Sequence, residues 1–182
     1  KEKGPIVSNL SSSRALADLA NDYDVNYHAS AIGELHVVSK MKEVKALIGG
    51  EGNGGVILPT LHYGRDALVG IALFLSHIAN EKIKVSKLKE RYTSYVMYKK
   101  KIELSCSWNV DELLDTIATS FVDARITTID GVKIDFDDSW IHLRKSNTEP
   151  IIRLYAEAKS LDKIKAKIEK IEAVIAEFVA SV

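Results

Sequence analysis

Arg144-Lys145-Ser146-Asn147-Thr148-Glu149-Pro150-Ile151-Ile152-Arg153 lies between two runs with strand character, Trp140-Ile141-His142-Leu143 and Ile151 to Ala158. The stretch therefore predicts two antiparallel strands joined by a short polar loop. It gathers two arginines, a lysine, three small polar side chains and a proline. Such a loop can present guanidinium forks, hydroxyls and backbone N–H groups to one anion, and a phosphate ester is the natural guest. The competing reading of the same residues is a polar turn whose arginines face water.

Working outward, Val96 to Leu104 predicts another strand, and Ile126 to Ile129 with Val132 to Phe136 predicts a hairpin turning at Asp130-Gly131. Asn109 followed three residues later by Glu112 starts a helix with Val110, Leu113, Leu114, Ile117 and Phe121 on one face, and Trp108 with Leu113 suits a hydrophobic staple. Beyond Ser160, read as a cap, Ile164, Ile168, Ile171, Ile175 and Phe178 recur at helical spacing. Antiparallel strands with two helices on one face describe an α+β domain over residues 96–182. Lys99-Lys100-Lys101 reads as a solvated strand edge.

Toward the N-terminus the pattern changes to α/β. Ile6-Val7, Val25 to Ala29 and Leu47-Ile48 are strand candidates, separated by a helix carrying Ala15, Leu16, Leu19 and Ala20 and by a Gly33 turn into Glu34 to Glu43. This alternation predicts a mostly parallel sheet in a domain over residues 1–80. Gly49-Gly50-Glu51-Gly52-Asn53-Gly54-Gly55 follows, holding five of the ten glycines. Glycine at that density admits positive φ and close approach of a ligand, while Glu51 and Asn53 suit sugar hydroxyls. A flexible hairpin turn is the plainer reading, and the signatures of a nucleotide loop are missing. Val56-Ile57-Leu58-Pro59 is a brief strand, and Ala67 to Ala79 is apolar enough to predict a helix buried on most sides. His62 reads as a loop or capping residue rather than a base, for want of an adjacent carboxylate, and Arg65-Asp66 as helix caps. The polar stretch within residues 81–95, with a short helix capped at Ser86, reads as an interdomain linker.

Composition narrows the partners. The 182 residues are 46% apolar and carry 25 basic against 25 acidic residues. That balance argues against a general nucleic-acid or anionic-membrane binder. No apolar run is long enough to span a bilayer and no signal-peptide pattern opens the chain, so the expected compartment is the cytoplasm. Cys106 is the only cysteine, which excludes an internal disulfide. The five histidines, His28, His36, His62, His77 and His142, are scattered, and no nucleophile elbow or metal-ligand pair is present. The chain starts at Lys1 without a methionine, as a piece of a longer protein would.

Arg-x-Ser-Asn-Thr-Glu-Pro-x-x-Arg resembles the phosphate-binding loop in the fourth domain of the α-D-phosphohexomutases, the family of phosphoglucomutase, phosphomannomutase and phosphoglucosamine mutase. Gly-Gly-Glu-x-x-Gly resembles the sugar-binding loop of the third domain, and the Gly33 turn and the Asp130-Gly131-Val132-Lys133 hairpin also fit. Where many members have Gly-Glu-x-Ser-Gly-His, Asn53 takes the serine position and Gly55 the histidine position. The resemblance implies a three-layer α/β sandwich followed by a TATA-binding-protein-like antiparallel sheet. It also implies that Glu51, Asn53 and Gly33 serve the sugar, and that Arg144, Ser146, Asn147, Thr148 and Arg153 serve a phosphate. The family's phosphoserine loop and its aspartate-rich Mg²⁺ loop are nowhere in the chain. The expectation is thus the C-terminal half of a mutase that interconverts hexose 1- and 6-phosphates through a bisphosphate and an enzyme phosphoserine. In that reading no catalytic or metal residue lies in this part, Mg²⁺ binds elsewhere in the full-length enzyme, and the partners are a hexose phosphate and the N-terminal domains of the same protein. A non-catalytic sugar-phosphate-binding module is the alternative, and a structural two-domain protein the third reading.

Overall fold

The computed structural model describes residues 2–105 and 108–181; Cys106 lies outside them. Among the described residues the chain is mixed α/β, with two sheets and six helices. Its backbone contacts divide it into two compact units, Lys1–Ser94 and Tyr95–Val182.

The first unit runs β1 (Ile6–Asn9), α1 (Ala15–Asp22), β2 (Tyr27–Ser30), α2 (Glu34–Val44), β3 (Ile48–Gly50), β4 (Val56–Ile57), α3 (Ala67–Glu81) and α4 (Val85–Lys89). Its sheet has the order β2-β1-β3-β4. β1 is parallel to β2 and β3, as the alternating pattern predicts, while β4 turns back antiparallel to β3 and places Gly50 opposite Val56. Val37 and Met41, one helical turn apart on α2, pack with Val7, Ala46 and Ile57 into a small core. Gly49 belongs to that packing, because a Cβ there would lie 2.3 Å from the Met41 sulfur.

Two local expectations fail here. Helix α3 is not buried on most sides. Among its residues only Val69 is buried, whereas Leu68 is 76% exposed, Leu75 59% and Ile71 54%. The helix is apolar all round, but it packs through the side where Gly70 meets Val56, and the two-residue β4 is too short to cover more. Helix α4 begins after Lys84 with no side-chain cap, so Ser86 lies inside it rather than at its start. The segment forms the close of the first unit, anchored by buried Leu88.

The second unit runs β5 (Val96–Glu103), α5 (Val110–Thr119), β6 (Arg125–Thr127), β7 (Val132–Asp135), β8 (Ser139–Lys145), β9 (Ile151–Ala158) and α6 (Asp162–Ser181). The strands form an entirely antiparallel sheet of order β5-β9-β8-β7-β6. Period-two alternation sends Val132, Ile134, Ile141, Leu143, Ile152 and Leu154 to one face, where they meet Leu113 and Ile117 of α5 and Ile164 and Ile171 of α6. Asn109 caps α5, its Oδ1 accepting from the Glu112 N–H at 3.4 Å. The opposite face of the sheet carries Lys133, Trp140, His142, Arg144, Arg153, Tyr155 and Glu157, all at the alternate positions. No helix among the described residues is long and apolar enough to cross a membrane.

Candidate functional site

In the first unit, the glycine-rich loop closes on itself: the Glu51 N–H donates to the Gly55 carbonyl at 3.0 Å and the Gly54 N–H to the Glu51 carbonyl at 3.0 Å. Asn53 is exposed, and its Oδ1 accepts from the Gly55 N–H at 3.1 Å, so part of this side chain is used to shape the turn. Glu51 is held differently. Only 6% of its side chain is exposed, one oxygen accepts from Asn9 Nδ2 at 3.1 Å, and the other lies 3.1 Å from Arg65 Nη1. Asn9 ends β1 and is itself braced by Ser12 Oγ at 3.0 Å.

Arg65 links two carboxylates. Its Nε donates to Glu34 at 2.8 Å while Nη1 faces Glu51. The hydrogen bond from Arg65 holds the Glu34 carboxyl below its ordinary pKa, and Glu34, then Glu51, push the guanidinium pKa up. This connects the start of α2 to the loop before α3. Gly33, at the N-terminus of α2, has φ +123°, a conformation that disfavours other residues, and its carbonyl takes the His36 and Val37 N–H groups. Gly55 is also explained: a Cβ there would stand 2.5 Å from Arg65 Cδ, so any larger residue must displace that side chain.

The reading of Arg65-Asp66 as caps holds for Asp66 alone. Its Oδ1 accepts from Val69 N at 3.1 Å, and this bond, followed by the His62 contact, lowers its pKa. His62 does have a carboxylate partner, Asp66 Oδ2 at 3.0 Å, four residues ahead on the chain.

In the second unit, Arg144 on β8 and Arg153 on β9 are directly opposed in register. Arg144 Nε donates to Asp130 Oδ1 at 3.2 Å. Arg153 Nη2 donates to Glu149 Oε2 at 2.6 Å and reaches Ser146 Oγ at 3.5 Å. Ser146 is buried, its N–H bound to the Ile151 carbonyl at 2.9 Å, whereas Asn147 and Thr148 are exposed at the tip of the loop. The Thr148 N–H points back to Ser146 Oγ at 3.5 Å. The loop thus sets two guanidinium groups, a buried hydroxyl and exposed polar residues at one end of the β8–β9 pair.

Below it, Gly131 has φ +67° and packs so closely on β8 that a Cβ would come 2.1 Å from the Leu143 carbonyl. That approach brings the Asp130 carboxylate to Arg144 and the Asp130 carbonyl within 2.6 Å of His142 Nε2. Because a carbonyl only accepts, Nε2 carries the proton, and burial holds the His142 pKa below its ordinary value. Burial also lowers the Lys133 pKa, against the opposing pull of Asp135.

Gly33, Glu51 and Asn53 therefore stand in one unit, and Arg144, Ser146, Asn147, Thr148 and Arg153 gather around one loop of the other. The sequence pattern gives no place in the site to Asn9, Glu34, Arg65 and Asp130, which orient Glu51 and Arg144. Asn9 was accessible in principle, since ligands of α/β sheets bind beyond the carboxyl ends of strands. The partners of Arg65 lie 31 and 14 positions away, at Glu34 and Glu51, and only the fold joins them. Among the described residues no group of three or more His, Cys, Asp or Glu stands ready for a metal ion. The carboxylates at the two loops face cationic side chains: Glu51 faces Arg65, Asp130 faces Arg144 and Glu149 faces Arg153.

The model of the phosphoglucomutase/phosphomannomutase alpha/beta/alpha domain III matches residues 1–95, and that of the C-terminal domain matches residues 81–177. The chain is 38% identical over 158 residues to a phosphoglucosamine/phosphogalactosamine mutase of Sulfurisphaera tokodaii, covering 85% of this chain and 34% of that protein. It is 33% identical over 166 residues to a phosphoglucomutase/phosphomannomutase of Thermococcus kodakarensis, covering 91% and 36%. Its fold is similar to the crystal structure of a phosphoglucomutase/phosphomannomutase family protein from Burkholderia thailandensis, with TM-score 0.73, 23% identity, and 97% and 37% coverage. The chain spans about a third of the length of these relatives. With its two loops and both domain matches in order, the chain belongs to the phosphoglucomutase/phosphomannomutase family and carries that family's domain III and C-terminal domain.

Proposed function

We propose that this chain is the substrate-recognition part of a mutase that interconverts hexose 1- and hexose 6-phosphates by way of a bisphosphate intermediate and an enzyme phosphoserine. In this reading residues 1–80 hold the sugar loop, 81–95 link, and 96–182 hold the phosphate loop. Arg144 and Arg153, opposed in register around the buried Ser146 hydroxyl, are the observation that carries it. Two guanidinium groups on one sheet face repel each other, and a bound phosphate dianion relieves that repulsion. Asn147 and Thr148 add donors at the exposed tip of the loop. Glu51, oriented by Arg65 and Asn9, accepts from sugar hydroxyls, and Asn53 Nδ2 donates to them.

The phosphate held here is the one not reacting, so its binding energy orients the distant reacting end. The phosphoryl donor and Mg²⁺ belong to other domains of the full-length protein, and the 182-residue chain by itself binds without turnover. Calorimetric titration of the chain with glucose 1-phosphate, glucosamine 1-phosphate and mannose 1-phosphate tests this. At least one binds, and Arg144→Ala weakens it roughly tenfold or more, the scale of a lost charge-assisted contact. Wild-type affinity in Arg144→Ala overturns the assignment of the phosphate loop.

A further inference from the structure

The β9 register aligns three cations. Arg153 is opposite Arg144 on β8 and opposite Lys101 on β5. Directly opposed residues of antiparallel strands share a face, with Cβ atoms about 5 Å apart, so Lys101, Arg153 and Arg144 form one rung across three strands. The edge reading of Lys99-Lys100-Lys101 hides this, since only the middle lysine turns to the helices, pairing with Glu172 of α6.

Two carboxylates answer the three charges, and they do so in different ways. Asp130 takes the Nε of Arg144, on a turn locked by Gly131, with 19% of its side chain exposed. That leaves the Nη groups of Arg144 for another acceptor. Glu149 instead takes Nη2 of Arg153, the same atom that reaches Ser146 Oγ, and its other oxygen lies 3.1 Å from Lys101 Nζ. The Glu149 side chain is 41% exposed and sits on the phosphate loop itself. Its backbone is held at its own carbonyl, which accepts from Ile151 N at 2.8 Å, and at the next residue, where the Pro150 carbonyl accepts from Leu104 N at 2.9 Å. A side-chain rotation therefore suffices to release it.

We infer that the Glu149 carboxylate is a built-in stand-in for the substrate's phosphate, and that Lys101 becomes a third cationic ligand of that phosphate when Glu149 swings away. The inference rests on the phosphate-loop reading above. Charge supports it: with Glu149 in place the rung keeps one uncompensated positive charge, whereas a phosphate of charge about −2 in its place, with Asp130 retained, leaves none. It also explains why an anion-binding loop carries a carboxylate at its centre. Occupied by Glu149, the rung is not an open trap for every small anion, and the substrate must displace an internal competitor.

The test is titration of the 182-residue chain and its Glu149→Gln and Lys101→Met variants with inorganic phosphate and with glucose 1-phosphate. Glu149→Gln keeps the size and loses the competing charge, so it should tighten both ligands about threefold or more. Lys101→Met should weaken both by about threefold to fivefold and flatten the salt dependence. Unchanged or weaker binding in Glu149→Gln overturns the stand-in, because a residue that merely braces Arg153 loses affinity on substitution. Unchanged binding in Lys101→Met overturns the third ligand. If the wild-type chain binds neither compound in an Arg144-dependent way, the phosphate-loop reading itself falls, and this inference with it.

Discussion

A single residue, Gly131, decides whether Arg144, in the proposed phosphate loop, has its supporting carboxylate. The Asp130-Gly131 pair is legible as a turn, but its sequence does not say that the turn lies on the backbone of β8 at Leu143 and Arg144. Alanine at 131 faces a left-handed φ of +67° and two rigid obstacles, the Leu143 carbonyl at 2.1 Å and Arg144 Cα at 2.8 Å. Leu143 is paired with Val132 of β7 and Arg144 with Arg153 of β9, so neither moves without disturbing the sheet. Gly131→Ala should therefore destabilise the second unit by about 1–3 kcal/mol and move Asp130 away from Arg144. Urea unfolding measures the first effect, and a weaker response to inorganic phosphate measures the second. Stability equal to wild type would mean that the turn yields where the packing says it cannot. Glu51 makes the complementary point: its type and place are visible in the glycine-rich loop, yet its orientation depends on Arg65 and Asn9, which the fold brings in from elsewhere.

Elements were legible wherever one periodicity served one buried face. The isoleucines of α6 recur four, three and four residues apart and all are buried against the sheet. Helix α3 departs from the burial its composition predicts, because apolar content says how much surface is available for packing, not how much the neighbours cover. Charge placement at element ends was equally hidden. Asp138, in the turn between β7 and β8, faces Lys163 and Lys167 of α6, and the Lys163 hydrogen bond, aided by Ser139 and Lys167, lowers its pKa to about 2. A depressed carboxyl stabilises the fold above its unfolded pKa of 3.8, and that contribution is lost as pH falls toward 2. The carboxylate is well exposed, so Asp138→Asn should cost only about 0.5 kcal/mol near neutrality. The gap between wild type and variant in urea midpoint should stay level down to about pH 4 and narrow below it. A gap that is level from neutrality to about pH 3 would remove Asp138 from the tie between α6 and the sheet.

At the scale of the whole molecule, two cores of unequal size share no residue. The first gathers Val7, Val37, Met41, Ala46 and Ile57, while the second runs from Val110 on α5 through buried residues of β7, β8 and β9 to Ile175 on α6. The alternating pattern made the first sheet legible as mostly parallel and the second as antiparallel, but pattern alone could not rank the cores, since that depends on how much of α3 is covered. Hydrophobic stabilisation scales with the apolar surface removed from water, so the first unit should be the weaker. The chain offers a direct way to see this, because both tryptophans, Trp108 and Trp140, belong to the second unit. Trp140 is 1% exposed with its Nε1 bound to Glu157, and Trp108 packs against the larger core, so tryptophan fluorescence reports that unit alone. Far-UV circular dichroism reports the helices of both. In a urea titration the dichroism should begin to fall before the fluorescence changes, giving two midpoints rather than one. Inorganic phosphate should then move the later midpoint upward and leave the earlier one in place, because the proposed phosphate ligands Arg144, Ser146 and Arg153 all stand on the second unit. Superimposed dichroism and fluorescence curves would show that the chain unfolds as one cooperative body and that the division into two cores has no energetic meaning.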